Sequence, residues 1–77
     1  MDVIARRGQW LVFCEVKSKS GSAFGDPLEM VTAEKARRVR HAALSWLAQH
    51  PDCGSLRVRF DVIVERAGRL EHLAGAF

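Results

Sequence analysis

Apolar residues dominate the stretch Trp10-Leu11-Val12-Phe13-Cys14-Glu15-Val16-Lys17, and Val3 and Ile4 stand upstream of Ala5-Arg6-Arg7-Gly8-Gln9. Two short apolar runs around a glycine predict a β-hairpin, with Gly8 supplying the positive φ of a tight turn. Ser18 to Pro27 is rich in Ser and Gly and lacks periodicity, which predicts a loop. Thr32 then reads as an N-cap, and Glu34 in the first turn suits the helix dipole. A helix is expected from Ala33 to about Gln49. At about 100° per residue, Ala36, Val39, Ala43, Trp46 and Leu47 form its apolar stripe, while Arg37, Arg38 and His41 fall opposite, toward solvent, and Leu44 projects away from the stripe.

Pro51, Asp52 and Gly54 end the helix in a turn. From Leu56 to Glu65, Val58, Phe60, Val62 and Val64 alternate with Arg57, Arg59, Asp61 and Ile63, the period of a strand. Ala67-Gly68 reads as a second hairpin turn leading into Arg69 to Leu73. The predicted order is therefore β-β-α-β-β, an α/β fold in which one helix covers a mixed sheet. The strand before the helix can then pair parallel to the strand after it.

Composition narrows the class. The chain has 77 residues, 48% of them hydrophobic and 27% charged, which excludes two domains and disorder. Its longest uninterrupted apolar run, Trp10 to Cys14, is far short of the roughly 20 residues that span a bilayer. No segment has a signal-peptide pattern, so a cytoplasmic protein without membrane partners is expected. Cys14 and Cys53 lack the spacing of a zinc site or disulfide framework, and Cys14 falls in an apolar strand as a small hydrophobe. The net charge of +3 hints only weakly at a polyanionic partner, but Lys35, Arg37, Arg38, Arg40 and His41 follow one another without an acid. The chain also opens almost directly on strand residues, so an upstream segment is expected to be missing.

The chemistry is concentrated in Asp2 and Glu15-Val16-Lys17. Alternation sends Leu11, Phe13, Glu15 and Lys17 to one face, and Trp10, Val12, Cys14 and Val16 to the other. With a two-residue loop at Arg7-Gly8, Asp2 would face Phe13 and lie diagonal to Glu15, on the same face as Lys17. Two carboxylates beside an ammonium suit a hard cation such as Mg²⁺, which takes one or two protein carboxylates and fills its shell with water and phosphate oxygens. The same charges could equally be a solvated strand end. Asp61 has two readings: a further carboxylate beside the Glu15 strand, or a structural acid paired with Arg59 or Arg57. His41 and His72 read as surface residues, Trp10 and Trp46 as core, and no serine carries a nucleophile signature.

Several motifs occur together in order: Asp2-Val3-Ile4-Ala5, Leu11 to Lys17, Phe24-Gly25-Asp26-Pro27, Val31-Thr32 with Lys35, Ala42 to Leu47, Arg59-Phe60-Asp61-Val62, and Glu71-His72-Leu73 with Ala76-Phe77. Across the whole chain this set resembles the bacterial YraN family of predicted endonucleases. That family is similar to archaeal Holliday junction resolvases and to the PD-(D/E)XK nucleases. The resemblance implies a single nuclease-like domain over residues 1–77, a restriction-endonuclease-like core lacking its first helix and strand. It also implies a hydrolase that binds or cleaves DNA phosphodiester bonds, branched DNA included, with Mg²⁺ or Mn²⁺. Asp2 and Glu15 match the metal carboxylates, Lys17 matches the motif lysine, and Lys35 matches a family lysine at the helix start. Lys35, Arg37, Arg38 and Arg40 are the candidate DNA-backbone contacts. The alternative is a non-catalytic module binding nucleic acid or protein through an incomplete ancestral site. With a layer missing, the first strand would be an exposed edge, through which two copies could pair as a homodimer.

Overall fold

The computed structural model describes residues 2–19 and 31–77. It is an α/β fold: β1 (Val3–Arg7), β2 (Trp10–Lys19), α1 (Ala33–Ala48), a 3₁₀ turn (Pro51–Cys53), β3 (Arg57–Arg66) and β4 (Arg69–Leu73). The strands form one mixed sheet in the order β1-β2-β3-β4, with β1–β2 and β3–β4 antiparallel and β2–β3 parallel. A parallel pair needs a long crossover, and α1 lies in the segment joining β2 to β3. The expected element order and pairing are therefore found. β2 runs on to Lys19, beyond the expected start of the loop at Ser18; the rest of that loop and the Phe24-Gly25-Asp26-Pro27 motif lie outside the described residues.

The first hairpin differs from expectation in its register. Its loop is Gly8-Gln9, and Arg7 stays in the strand opposite Trp10. Gly8 has φ +59°, and Gln9 has no positive φ, which fits a turn that places Gly at its first central position. Only glycine occupies that region without steric cost, so the turn starts at Gly8. Because both loops have two residues, the faces are preserved while the partners move by two positions. In the second hairpin Ala67 and Gly68 have φ +53° and +77°, and Arg66 pairs with Arg69 as expected.

The helix begins as its sequence dictates. Thr32 is extended, and its Oγ1 accepts a hydrogen bond from the Lys35 N–H at 3.1 Å, satisfying an otherwise unpaired donor of the first turn. At the other end the His50 ring stacks on Trp46, and its Nδ1 lies 2.7 Å from the Trp46 carbonyl oxygen. Val39 and Ala43 are buried, with Trp46 and Leu47 half-buried, whereas Leu44 is 66% exposed. Ala43, Trp46 and Leu47 pack with Leu11 and Phe13 of β2 and Phe60 of β3. Phe13, 1% exposed, meets Trp46 edge-on and Phe60 face-to-face, both at 5.7 Å between ring centroids. Cys14 is buried as a free thiol, as expected of a small hydrophobe.

The opposite face of the sheet corrects one expectation, because α1 covers one side only and no second α-helix lies among the described residues. Trp10 is 40% exposed there, with the Arg57 and Arg59 guanidinium carbons 5.9 and 5.8 Å from its ring, so it is not a core residue. His72 lies at the surface as expected, and its Nε2 sits 2.6 Å from Asp61 Oδ2. Asp61 is 1% exposed and also accepts Arg59 Nε and Nη2, each at 2.9 Å, and the Gly75 N–H at 3.0 Å. The β2–β3 register pairs Cys14 with Asp61 and Glu15 with Val62, so Asp61 points away from Glu15. Its reading as a further carboxylate of the Glu15 site is thereby overturned.

Burial alone would push the Asp61 carboxyl up, but the bonds from Arg59, Gly75 and His72 overcome it and hold the group below the ordinary carboxylate range. A native pKa below the unfolded one contributes stability that is present above about pH 4 and is lost as pH falls through the native value. Asp61→Asn keeps the shape but turns an amide toward cationic donors, and is expected to cost about 2–3 kcal/mol. Urea unfolding at neutral pH checks the loss. A pH series down to about 2 should bring wild type and variant together, since protonation removes the same interaction.

Candidate functional site

Three elements place the candidate residues. β1 and β2 pair with Ile4 opposite Phe13 and Val3 opposite Cys14, so the next step of the ladder sets Asp2 across from Glu15. That is nearer than the diagonal relation expected from the sequence. The end of β1 is pinned on both sides of Glu15: the Asp2 N–H donates to the Cys14 carbonyl at 3.2 Å, and Asp2 Oδ2 accepts the Val16 N–H at 2.9 Å. This last bond is the main reason that the Asp2 carboxyl lies below its ordinary range. Slight desolvation opposes it, and the charge of nearby Lys17 adds to it.

Glu15 and Lys17 follow Phe13 on the helix-facing side of β2 and run out past the aromatic contacts of the core. There they meet the first turns of α1 across a groove of about 210 Å³ lined by Glu15, Lys17, Lys35, Arg38, Val39 and Ala42. Small-molecule pockets usually occupy roughly 300–1,000 Å³ and are largely enclosed and apolar, so a short groove with four charged side chains is poorly suited to such a ligand. Buried Val39 and the small Ala42 are its two apolar lining residues. Among the described residues, Glu15, Lys17, Lys35 and Arg38 make no ion pair.

The expected site residues therefore divide. Glu15, Lys17 and Lys35 line one groove between β2 and α1, Asp2 stands beside Glu15, and Arg38, expected on the solvent side of the helix, lines the same groove. The physical reason is helical spacing: Arg38 is one turn on from Lys35 and shares its edge of the helix. Arg37 and Arg40 are exposed and are not among the groove-lining residues. Among the described residues no group of three or more His, Cys, Asp and Glu side chains converges on one point, and Asp2 and Glu15 stand as an adjacent carboxylate pair. Oxygen donors of this kind suit Mg²⁺ or Mn²⁺ better than a thiophilic metal.

Residues 1–64 match the family described as uncharacterised protein family UPF0102. The chain belongs to that family. A UPF0102 protein of Frankia casuarinae is 48% identical over 82 residues, a match that covers 100% of this chain and 69% of the relative. One from Frankia alni is 50% identical, with 100% and 68% covered, and one from Beutenbergia cavernae is 49% identical, with 97% and 67% covered. The UPF0102 assignment is consistent with the YraN resemblance carried by the motifs. Every candidate site residue lies within the matched span, 1–64. No helix among the described residues is long and apolar enough to cross a membrane.

Asp2 has a positional role that can be measured apart from any chemistry. Asp2→Ala removes the acceptor of the Val16 N–H and should leave that amide exchanging several-fold faster with solvent. Amides in the β2–β3 ladder, such as that of Val62, should be unchanged. Hydrogen exchange followed by NMR checks it; equal acceleration throughout β2 would point to global destabilisation.

Proposed function

We propose that this UPF0102 domain is a metal-dependent endonuclease-like domain that binds or cleaves DNA phosphodiester bonds, with branched DNA among its substrates. The observation that carries the reading is the juxtaposition of the Asp2 and Glu15 carboxylates with Lys17 at the end of a groove whose far wall is cationic. The motif resemblance to the PD-(D/E)XK nucleases and their restriction-endonuclease-like core supports the same assignment. Asp2 and Glu15 would hold Mg²⁺ or Mn²⁺, and the bound ion would supply Lewis-acid polarisation of the phosphoryl oxygens and of the attacking water.

The chain's own residues have defined tasks in that reaction. Asp2, fixed by Val16, orients the carboxylate pair, and Glu15 presents acceptor oxygens that no cation of the described residues neutralises. Lys17, two residues along the same face, places an ammonium where it can orient water or offset charge developing on the phosphoryl oxygens. Hydrolysis adds one water to phosphorus and breaks one ester P–O bond, leaving a phosphate monoester and an alcohol. Cationic side chains of α1 that line the groove serve as backbone contacts, because phosphate neutralisation dominates DNA affinity.

Glu15→Ala should abolish Mg²⁺-dependent cleavage of a four-way DNA junction while the circular dichroism spectrum stays native; unchanged cleavage would sink the assignment. Calorimetric titration with Mn²⁺ separates this reading from a non-catalytic binding module. A nuclease site should bind the ion saturably and lose that binding in Glu15→Ala, whereas a binding module needs no such site.

A further inference from the structure

The helix carries four closely spaced cations, Lys35, Arg37, Arg38 and Arg40, but the fold does not present them alike. Lys35, Arg38, Val39 and Ala42 stand at i, i+3, i+4 and i+7, which is one continuous row on a helix, and these four form the α1 wall of the groove. Arg37 and Arg40 are each rotated by more than a third of a turn from Lys35, outside that row. Lys35 is half-buried and its backbone N–H is fixed by Thr32, so its origin is held by the cap. Buried Val39 anchors the middle of the row against the core, and the small Ala42 leaves the space between helix and strand open.

Charge gives the groove its preference. Lys17, Lys35 and Arg38 face Glu15 and the adjacent Asp2, so cations outnumber carboxylates before any metal is added. None of the groove's cations is spent in an ion pair among the described residues. We infer that Lys35 and Arg38 form a metal-independent grip for one phosphodiester of a DNA backbone, setting it over the Asp2 and Glu15 end of the groove, while Arg37 and Arg40 take no part. This deepens the proposed function and rests on the groove being a phosphodiester site. It separates two tasks: the helix row binds, and the strand end reacts. Glu15→Gln should therefore lose metal uptake yet hold DNA at least as well as wild type in chelator, because it removes a negative charge from beside the phosphate.

The test is fluorescence anisotropy of a short fluorescein-labelled DNA duplex, titrated in EDTA over a series of KCl concentrations, with circular dichroism as the folding control. Lys35→Ala and Arg38→Ala should each weaken binding about tenfold and lower the salt slope by about one. Arg37→Ala and Arg40→Ala should change affinity by less than about twofold. Ala42→Phe keeps every charge but fills the groove, and should weaken binding as much as the loss of Lys35. Equal losses across all four cation variants would overturn the grip in favour of diffuse attraction, and so would unchanged binding by Ala42→Phe. Failure of the metal site reads out separately. A wild type that binds duplex through Lys35 and Arg38 but takes up no Mn²⁺ sinks the nuclease reading and keeps the grip. One that takes up Mn²⁺ while Lys35→Ala binds normally does the reverse.

Discussion

The placement of Phe13 constrains everything else in this domain. Its ring lies between Trp46 of α1 and Phe60 of β3, and with 1% of its surface exposed it cannot turn outward without opening the core. Removing a buried phenylalanine side chain costs about 3–5 kcal/mol, whereas a chain of this size has a total stability of about 4–12 kcal/mol. The parity of β2 is therefore locked. Once Phe13 faces the helix, Glu15 and Lys17 must face it too, because a one-residue slip would move the whole apolar set to the other side. The direction of the candidate chemistry is thus enforced by core packing two residues away.

The same parity rule gives the acids opposite fates. Asp61 lies on the other face of β3 and is enclosed by a bidentate arginine, a histidine and a backbone N–H. All its lone pairs are committed, and a carboxylate in that state has little left to offer a ligand. Asp2 spends one oxygen on Val16, and Glu15 has no cation of its own among the described residues. Saturated and unsaturated carboxylates occupy opposite faces of one sheet, and only the unsaturated pair opens on a cationic groove.

Much of this is legible in the residues themselves. Strict alternation through Leu11 to Lys17 and Val58 to Val64 predicts the faces, and Thr32 and Pro51 bracket the helix, because these signals act over one or two residues. The register of the first hairpin was less accessible. Gly8 marks the turn, but which loop position it takes depends on backbone angles that composition does not specify; the parity survived because either placement has an even loop. The Asp61–His72 contact did have a signal. Pairing across Ala67-Gly68 sets His72 opposite Ile63, beside Asp61 on the same face, a relation visible once that hairpin is counted through. The exposure of Trp10 could not be read locally, since an apolar strand face looks the same whether or not another layer covers it. Arg38 is exposed, as the helical wheel expects, but its place at the groove is set by where the end of β2 meets the helix, which the wheel does not show.

Adjacent carboxylates at a strand end are an electrostatic cost. Two like charges about 4 Å apart repel by about 1 kcal/mol in water and about 4 kcal/mol at the effective dielectric of a protein surface. The Val16 N–H and the nearby Lys17 offset part of that repulsion, but no arginine has been brought in to cancel it as Arg59 does for Asp61. A fold that needed only stability at this position would gain from such a pairing, or from apolar residues continuing the Leu11–Phe13 row. Instead the cations stand across the groove on α1, where a gap separates them from the acids. That gap has a consistent physical use if it is closed by a third party: a divalent ion relieves the carboxylates, a phosphate relieves the lysines and arginine, and together they bind more strongly than either alone because each neutralises the other's charge.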